Sequence, residues 1–244
     1  MTKIMTSYVL ADQIANGLVS LDDQVLISEK AWRMEGSKMF IEAGKKVSIS
    51  DLLKGIIIQS GNDASVAIAE YAGGTESGFV DLMNSYAASL GMDNTIFQNS
   101  TGLPDDNHFS SAKDLATLTS HFINKFPYEY SLYKEKQFTF NNIKQLNRNK
   151  LLWRDESSDG VKTGHTQSAG YCLVGSAQRG DMRLITVIAG SKSDNDRFLS
   201  LHILLEYGFR FFATQKVLNV NQEYKNITIW GGQEDRLGIG VLED

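Results

Sequence analysis

Asp159-Gly160-Val161-Lys162-Thr163-Gly164-His165-Thr166 is the stretch that orders the second half of the chain. A polar loop over residues 155–159 leads into it, and a strand-forming run begins at Val161 and covers residues 161–163. Two more strand-like runs follow in close order, residues 170–176 and 183–188, with Gly180-Asp181 turning between them. Residues 197–212 then carry Phe198, Leu201, Leu204, Leu205 and Phe209, apolar positions that predict a helix packed on the sheet.

Working outward toward the start, residues 137–140 and 143–146 read as a hairpin turning at Asn141-Asn142. The first half is mostly helical. Ile4, Tyr8, Ala11 and Ile14 recur at helical spacing over residues 2–15, an amphipathic pattern stopped by Gly17. Short strands are expected at 24–28 and 45–49, on either side of an irregular segment, 32–44. Ser50 is placed to cap a helix through residue 58 that is apolar nearly all round, as a core helix would be. After a break at Ser60-Gly61-Asn62, helices are expected at 63–71, at 76–90 and from Ser111 to about Lys125, with a loop over 94–108. Beyond Lys216 the pattern turns to short strands around Trp230-Gly231-Gly232. The fold class expected is α+β, an antiparallel sheet flanked by helices.

The composition of the 244 residues, 42% hydrophobic and 22% charged, is that of a globular protein. A net charge of −5 with no lysine- or arginine-rich block argues against a nucleic-acid partner. The single cysteine, Cys172, allows no internal disulfide and is assigned to a core strand position. No run reaches the roughly 18–20 apolar residues of a membrane span, and no basic region followed by an apolar core marks a signal peptide. His108, His121 and His202 have no mutual metal-ligand spacing, so neither a metal nor a cofactor is expected.

Chemistry concentrates in Lys3, in Ser60-Gly61-Asn62, and about a hundred residues later in Lys162-Thr163-Gly164. Taken alone, each has an ordinary reading: a surface lysine, a helix-to-helix turn, and a strand with one charge. Taken together they match the parts of a serine acyltransferase that uses lysine as its base. A lysine one helical turn after a serine shares its helix face and can deprotonate it if burial lowers its pKa. The Ser60 hydroxyl can relay a proton, and the Asn62 amide can both donate and accept. Lys162 and Thr163 can grip a carboxylate, while Gly164 lets a backbone run alongside. His165, Arg197 and Arg148 are either surface charges or additions to that anion site. Ser110-Ser111-Ala112-Lys113 and Ser131-Leu132-Tyr133-Lys134 repeat the serine–lysine spacing, but they follow Ser60 in the chain and are rejected.

With Thr2-Lys3-Ile4-Met5-Thr6-Ser7-Tyr8, Gln59-Ser60-Gly61-Asn62-Asp63-Ala64, Tyr133-Lys134-Glu135-Lys136, Leu146-Asn147-Arg148-Asn149, the 159–166 stretch and Tyr207-Gly208-Phe209-Arg210-Phe211-Phe212, the chain resembles the D-alanyl-D-alanine carboxypeptidases, or low-molecular-weight penicillin-binding proteins. The resemblance implies a β-lactamase/transpeptidase-like fold, a five-stranded antiparallel sheet between helical layers. It implies a periplasmic enzyme of peptidoglycan maturation that removes the terminal D-alanine from stem peptides ending in D-Ala-D-Ala, through an acyl-enzyme that β-lactams trap. By the same carry-over Lys3 is the general base, Ser60 the relay and Asn62 a positioning ligand. Lys162 and Thr163 bind the terminal carboxylate, with Arg197 nearby; Gly164, His165 and Arg148 complete the candidate substrate-binding set.

The same pattern puts the nucleophilic serine one position before Met1. The expectation is therefore a catalytic domain over residues 1–215 lacking its first strands, and the start of a small β-rich domain at 216–244. The family's membrane association, through a C-terminal amphipathic anchor, lies outside this sequence. Read as it stands, without a signal peptide, the chain is expected in the cytoplasm, inactive by itself and with an unpaired sheet edge. The segment 32–37 looks short for the family. The alternative is a non-catalytic remnant that still binds a cell-wall peptide or a β-lactam.

Overall fold

Every residue from Lys3 to Asp12 is buried, so helix α1 (Lys3–Ala15) runs through the interior rather than across the surface. This corrects the amphipathic reading: Met5, Val9 and Leu10 are as inaccessible as Ile4 and Tyr8. The computed structural model describes residues 1–242 and falls into two compact units, Met1–Arg210 and the chain from Phe211 onward.

In the first unit, β1 (Gln24–Leu26) pairs antiparallel with β2 (Lys46–Ser48), and α2 (Glu29–Arg33) lies between them in sequence, capped by Ser28. Part of the expected irregular segment is thus helical. Ser48, not Ser50, caps α3 (Ile49–Lys54), its hydroxyl accepting from the Asp51 N–H at 3.1 Å. The helix continues as a π-helical turn, Gly55–Gln59, which ends at Ser60 in a left-handed conformation. Next come α4 (Asn62–Gly73), α5 (Glu76–Ser89), α6 (Ala112–Lys125) and the short α7 (Pro127–Ser131), which starts on a proline. Apolar side chains of α1, α3, α4, α5 and α6 form one core with the π-helical turn.

The hairpin β3 (Gln137–Phe140) and β4 (Ile143–Leu146) turns where expected, with positive φ at Asn141 and Asn142. A one-turn α8 (Leu151–Arg154) leads to the main antiparallel sheet, β5 (Ser158–Thr166), β6 (Gly170–Arg179) and β7 (Met182–Ser191), in that order. Its two faces pack differently, as the period-two alternation of a strand requires. Val161, Val174, Ile185 and Val187 face the helical core. Leu173, Ala177, Leu184 and Ile188 meet Phe198, Leu201 and Leu205 of α9 (Asp194–Phe211). Contact is close at Gly175, where a Cβ would lie 2.7 Å from Leu201. Leu204 lies off the apolar stripe of α9 and is exposed. Cys172 is buried in β6, as expected.

In the second unit β8 (Lys225–Thr228) pairs antiparallel with β9 (Arg236–Ile239). No helix among the described residues is long and apolar enough to cross a membrane.

Tyr8 anchors α1 through edge-on contacts to Tyr86, Phe122 and Phe126 at ring separations of 5.1–5.8 Å. Tyr8→Ala is expected to cost about 3–5 kcal/mol, read as a lowered midpoint in denaturant unfolding. Asp12, at the other end of the buried run, accepts from Lys125 at 2.7 Å, from Asn16 at 2.8 Å and from the Tyr86 hydroxyl. Burial alone would raise the Asp12 carboxyl, but these hydrogen bonds outweigh it and hold it below its ordinary value. Its contribution to stability is therefore present above about pH 4 and lost as pH falls through the lowered folded-state value. The stability gap between wild type and Asp12→Asn should accordingly narrow from pH 6 to pH 3.

Candidate active site

Lys3 is 5% exposed, and its Nζ donates to Asn62 Oδ1 at 2.7 Å and to the Thr101 carbonyl at 2.6 Å. Helix α1 brings it there, and Asn62 opens α4 directly after the π-helical break, so residues far apart in sequence share one ammonium. Burial first and the Arg148 charge second, opposed by Asp63, together lower Lys3 from 10.5 to about 7. Its amine is thus part neutral near pH 7, as a general base requires.

Asn62 has little freedom. Its Oδ1 takes the Lys3 proton donor, its Nδ2 donates to the Glu35 carbonyl at 2.6 Å, and the residue is buried. Beside it the buried Asp63 carboxylate accepts backbone N–H groups from Met39, Phe40 and Ala64, tying the loop before β2 to the start of α4. Ser60 is partly exposed, with φ at 63°, a conformation uncommon outside glycine. Among the described residues its side chain makes no hydrogen bond, so the hydroxyl is not joined to Lys3 in this state.

Lys162 lies on β5, the edge strand of the main sheet, and is 2% exposed with Nζ 3.1 Å from the Thr163 carbonyl. Burial pushes it well below its ordinary value, and the charges of Lys3, Arg148 and Arg197 push the same way. Gly164 is packed against Met1, whose N and Sδ would each lie 3.1 Å from a Cβ there. Thr163 is buried, and its hydroxyl makes no hydrogen bond among the described residues.

The remaining three residues divide. Arg148 is exposed next to β4, and its backbone N–H donates to the Ile58 carbonyl at 3.3 Å. Among the described residues its guanidinium has no ion-pair or hydrogen-bond partner, leaving its charge to act on both lysines. His165 is exposed, its ring over Tyr171 with 4.0 Å between centroids. Arg197 is buried and already committed: it donates to the carbonyls of Gly164 at 2.9 Å and Cys172 at 3.1 Å and pairs with Asp194. It therefore braces the Gly164 end of β5 instead of offering a free fork to an anion.

Sequence reading missed several groups. Thr101 enters through its carbonyl, which carries no side-chain signature, and Glu35 does the same. Thr2 and His108, whose Oγ1 and Nε2 are 2.8 Å apart, join the first turn of α1 to the loop after α5. Burial lowers the His108 imidazole.

A family model described as D-alanyl-D-alanine carboxypeptidase matches residues 1–193. The sequence is 46% identical over 251 residues to D-alanyl-D-alanine carboxypeptidase DacA of Escherichia coli (strain K12), covering 100% of this chain and 62% of that protein. The chain thus spans less than two thirds of that relative's length. Penicillin binding protein 5 from Haemophilus influenzae superposes with a TM-score of 0.95 at 43% identity, over 99% of this chain and 72% of that one. Penicillin-Binding Protein D2 from Listeria monocytogenes, solved in its ampicillin-bound form, gives 0.77 at 30% identity over 85% of each chain. The residues around Lys3, the turn at Ser60 and the edge strand at Lys162 all fall within the matched span, and the chain belongs to the D-alanyl-D-alanine carboxypeptidase family.

Proposed function

We propose that the chain carries the catalytic machinery of a serine D-Ala-D-Ala carboxypeptidase acting on peptidoglycan stem peptides in the periplasm, by way of an acyl-enzyme. The observation that carries this reading is the buried Lys3 amine, lowered to about 7 and held by Asn62 and Thr101. The serine it would deprotonate stands three residues before it in the family pattern, one position ahead of Met1. Attack on the penultimate D-alanine carbonyl would pass the serine proton to Lys3, and Ser60 would carry a proton onward to the departing D-alanine amine. Water would then release the acyl group. The edge of β5 suits an extended peptide, with Lys162 and Thr163 at its terminal carboxylate. Arg197 acts at one remove, by bracing that strand.

Fluorescent penicillin tests the reading. A polypeptide of residues 1–244 alone is expected to remain unlabelled, since losing the nucleophile of a comparable serine hydrolase costs roughly 10⁶ in turnover. The same chain with a serine placed immediately ahead of Met1 should be labelled covalently, and Lys3→Ala should abolish that labelling. A serine-bearing chain that binds penicillin reversibly without a covalent adduct would favour the non-catalytic reading.

Two pH effects follow from the charges. Arg148 lowers Lys3, so Arg148→Ala should move the acid limb of the acylation rate profile of the serine-bearing chain to higher pH. A carboxylate arriving beside Lys162 favours the charged form of a lysine whose pKa is held down by burial and by the charges of Lys3, Arg148 and Arg197. Binding of a D-Ala-D-Ala peptide should therefore take up protons, measured as a calorimetric enthalpy that varies with the ionisation heat of the buffer.

A further inference from the structure

The two acceptors of Lys3 are themselves held in place, and both holds lead back to α2 and the turn after it. Thr101 follows Ser100, which gives its N–H at 3.3 Å and its hydroxyl at 2.9 Å to one oxygen of Glu76. The other Glu76 oxygen is 2.7 Å from the Lys30 ammonium on α2. Burial would raise the Glu76 carboxyl, but the hydrogen bonds from Lys30 and Ser100 outweigh it, so Glu76 is a carboxylate at neutral pH. Two residues beyond α2, the Glu35 carbonyl takes the Asn62 Nδ2 donor at 2.6 Å. Gly36 is next to it, with φ at +81°, where a Cβ would lie 2.9 Å from that nitrogen. Helix α2 is tied in turn to α4 by the Ser28 hydroxyl, which donates to Glu70 at 2.6 Å.

We propose that Lys30, Glu76 and Gly36 are positioning residues for Lys3: the Lys30–Glu76 pair fixes the Thr101 carbonyl through Ser100, and the Glu35–Gly36 turn fixes the Asn62 amide. None of the three hydrogen-bonds to Lys3. The arrangement leaves a buried amine with two acceptors of fixed direction, so its ammonium form keeps its hydrogen bonds without water. The proposal rests on the reading of Lys3 as the base, but its geometry needs neither nucleophile nor substrate. The other charges acting on Lys3 or lying near it, Asp63 from α4, Arg148 next to β4, Lys162 from β5 and the buried α-amino group of Met1 two residues before it, are untouched by changes at these three positions.

The test is the titration of the Lys3 ε-methylene by NMR in the 244-residue chain with ¹³C-labelled lysine, its resonance assigned by its absence in Lys3→Met. Glu76→Gln and Gly36→Ala should each lower the Lys3 midpoint by about one unit, because a buried ammonium loses an acceptor. Lys30→Ala should move it the same way by less, and Lys30→Arg should restore it. Lys125→Ala, which breaks the equally short ion pair with Asp12, should lower the melting temperature and leave the midpoint unmoved. The proposal is overturned if folded Glu76→Gln, Gly36→Ala and Lys30→Ala all keep the wild-type midpoint, or if Lys125→Ala shifts it as far as they do. Should the first two fail to fold, Lys30→Ala decides the matter, because Lys30 is largely exposed and its loss leaves the core intact. Shifted midpoints together with no penicillin labelling of the serine-bearing chain would refute the carboxypeptidase reading and leave this one standing.

Discussion

One ammonium group, that of Lys3, sets what the rest of the structure must provide. A lysine buried to this degree loses its hydration, and only close acceptors keep its charged form accessible at all. Asn62 Oδ1 and the Thr101 carbonyl supply them, at 2.7 and 2.6 Å. Those two atoms lie on different elements, the start of α4 and the loop after α5. Both meet the first residue of α1, a helix whose residues from Lys3 to Asp12 are all buried.

The same requirement accounts for the irregular backbone nearby. The π-helical turn Gly55–Gln59 and the left-handed Ser60 swing the chain so that α4 begins with Asn62 facing Lys3. Such features cost free energy and persist where surrounding contacts fix them, here the buried Asp63 carboxylate, which accepts from Met39 and Phe40 of one loop and from Ala64 of α4. On the opposite side, β5 brings Lys162 into the same electrostatic field, and Arg197 ties the Gly164 end of that strand to α9. In a chain of net charge −5, four basic side chains, Lys3, Lys162, Arg148 and Arg197, thus lie within one another's electrostatic reach.

Much of this was legible in the sequence, because the candidate site's lysines, serine and asparagine announce themselves by type and spacing. The main antiparallel strands were legible as strand-like runs in close order, with Gly180-Asp181 turning between the last two, and the Asn141-Asn142 turn from its residues. What stayed hidden has physical reasons. Helices α2, α7 and α8 are each too short to display a helical period. Ser48 and Ser50 both offer a cap, and the choice of Ser48 follows from Asp51 lying three residues on, a spacing that reading from apolar pattern alone passed over. The all-round burial of α1 depends on neighbours distant in sequence. Arg197 reads in sequence as either a surface charge or part of an anion site because only its charge is visible there, whereas the carbonyls it donates to are not.

The central claim is that Lys3 is a preformed base, tuned by burial before any substrate arrives. The direct measurement is the wild-type Lys3 midpoint in the unliganded chain, by NMR titration of its ε-methylene. A value close to 7 is what the account predicts. A value near the ordinary 10.5 would mean that Lys3 is solvated and cationic, and the account of the site would fail.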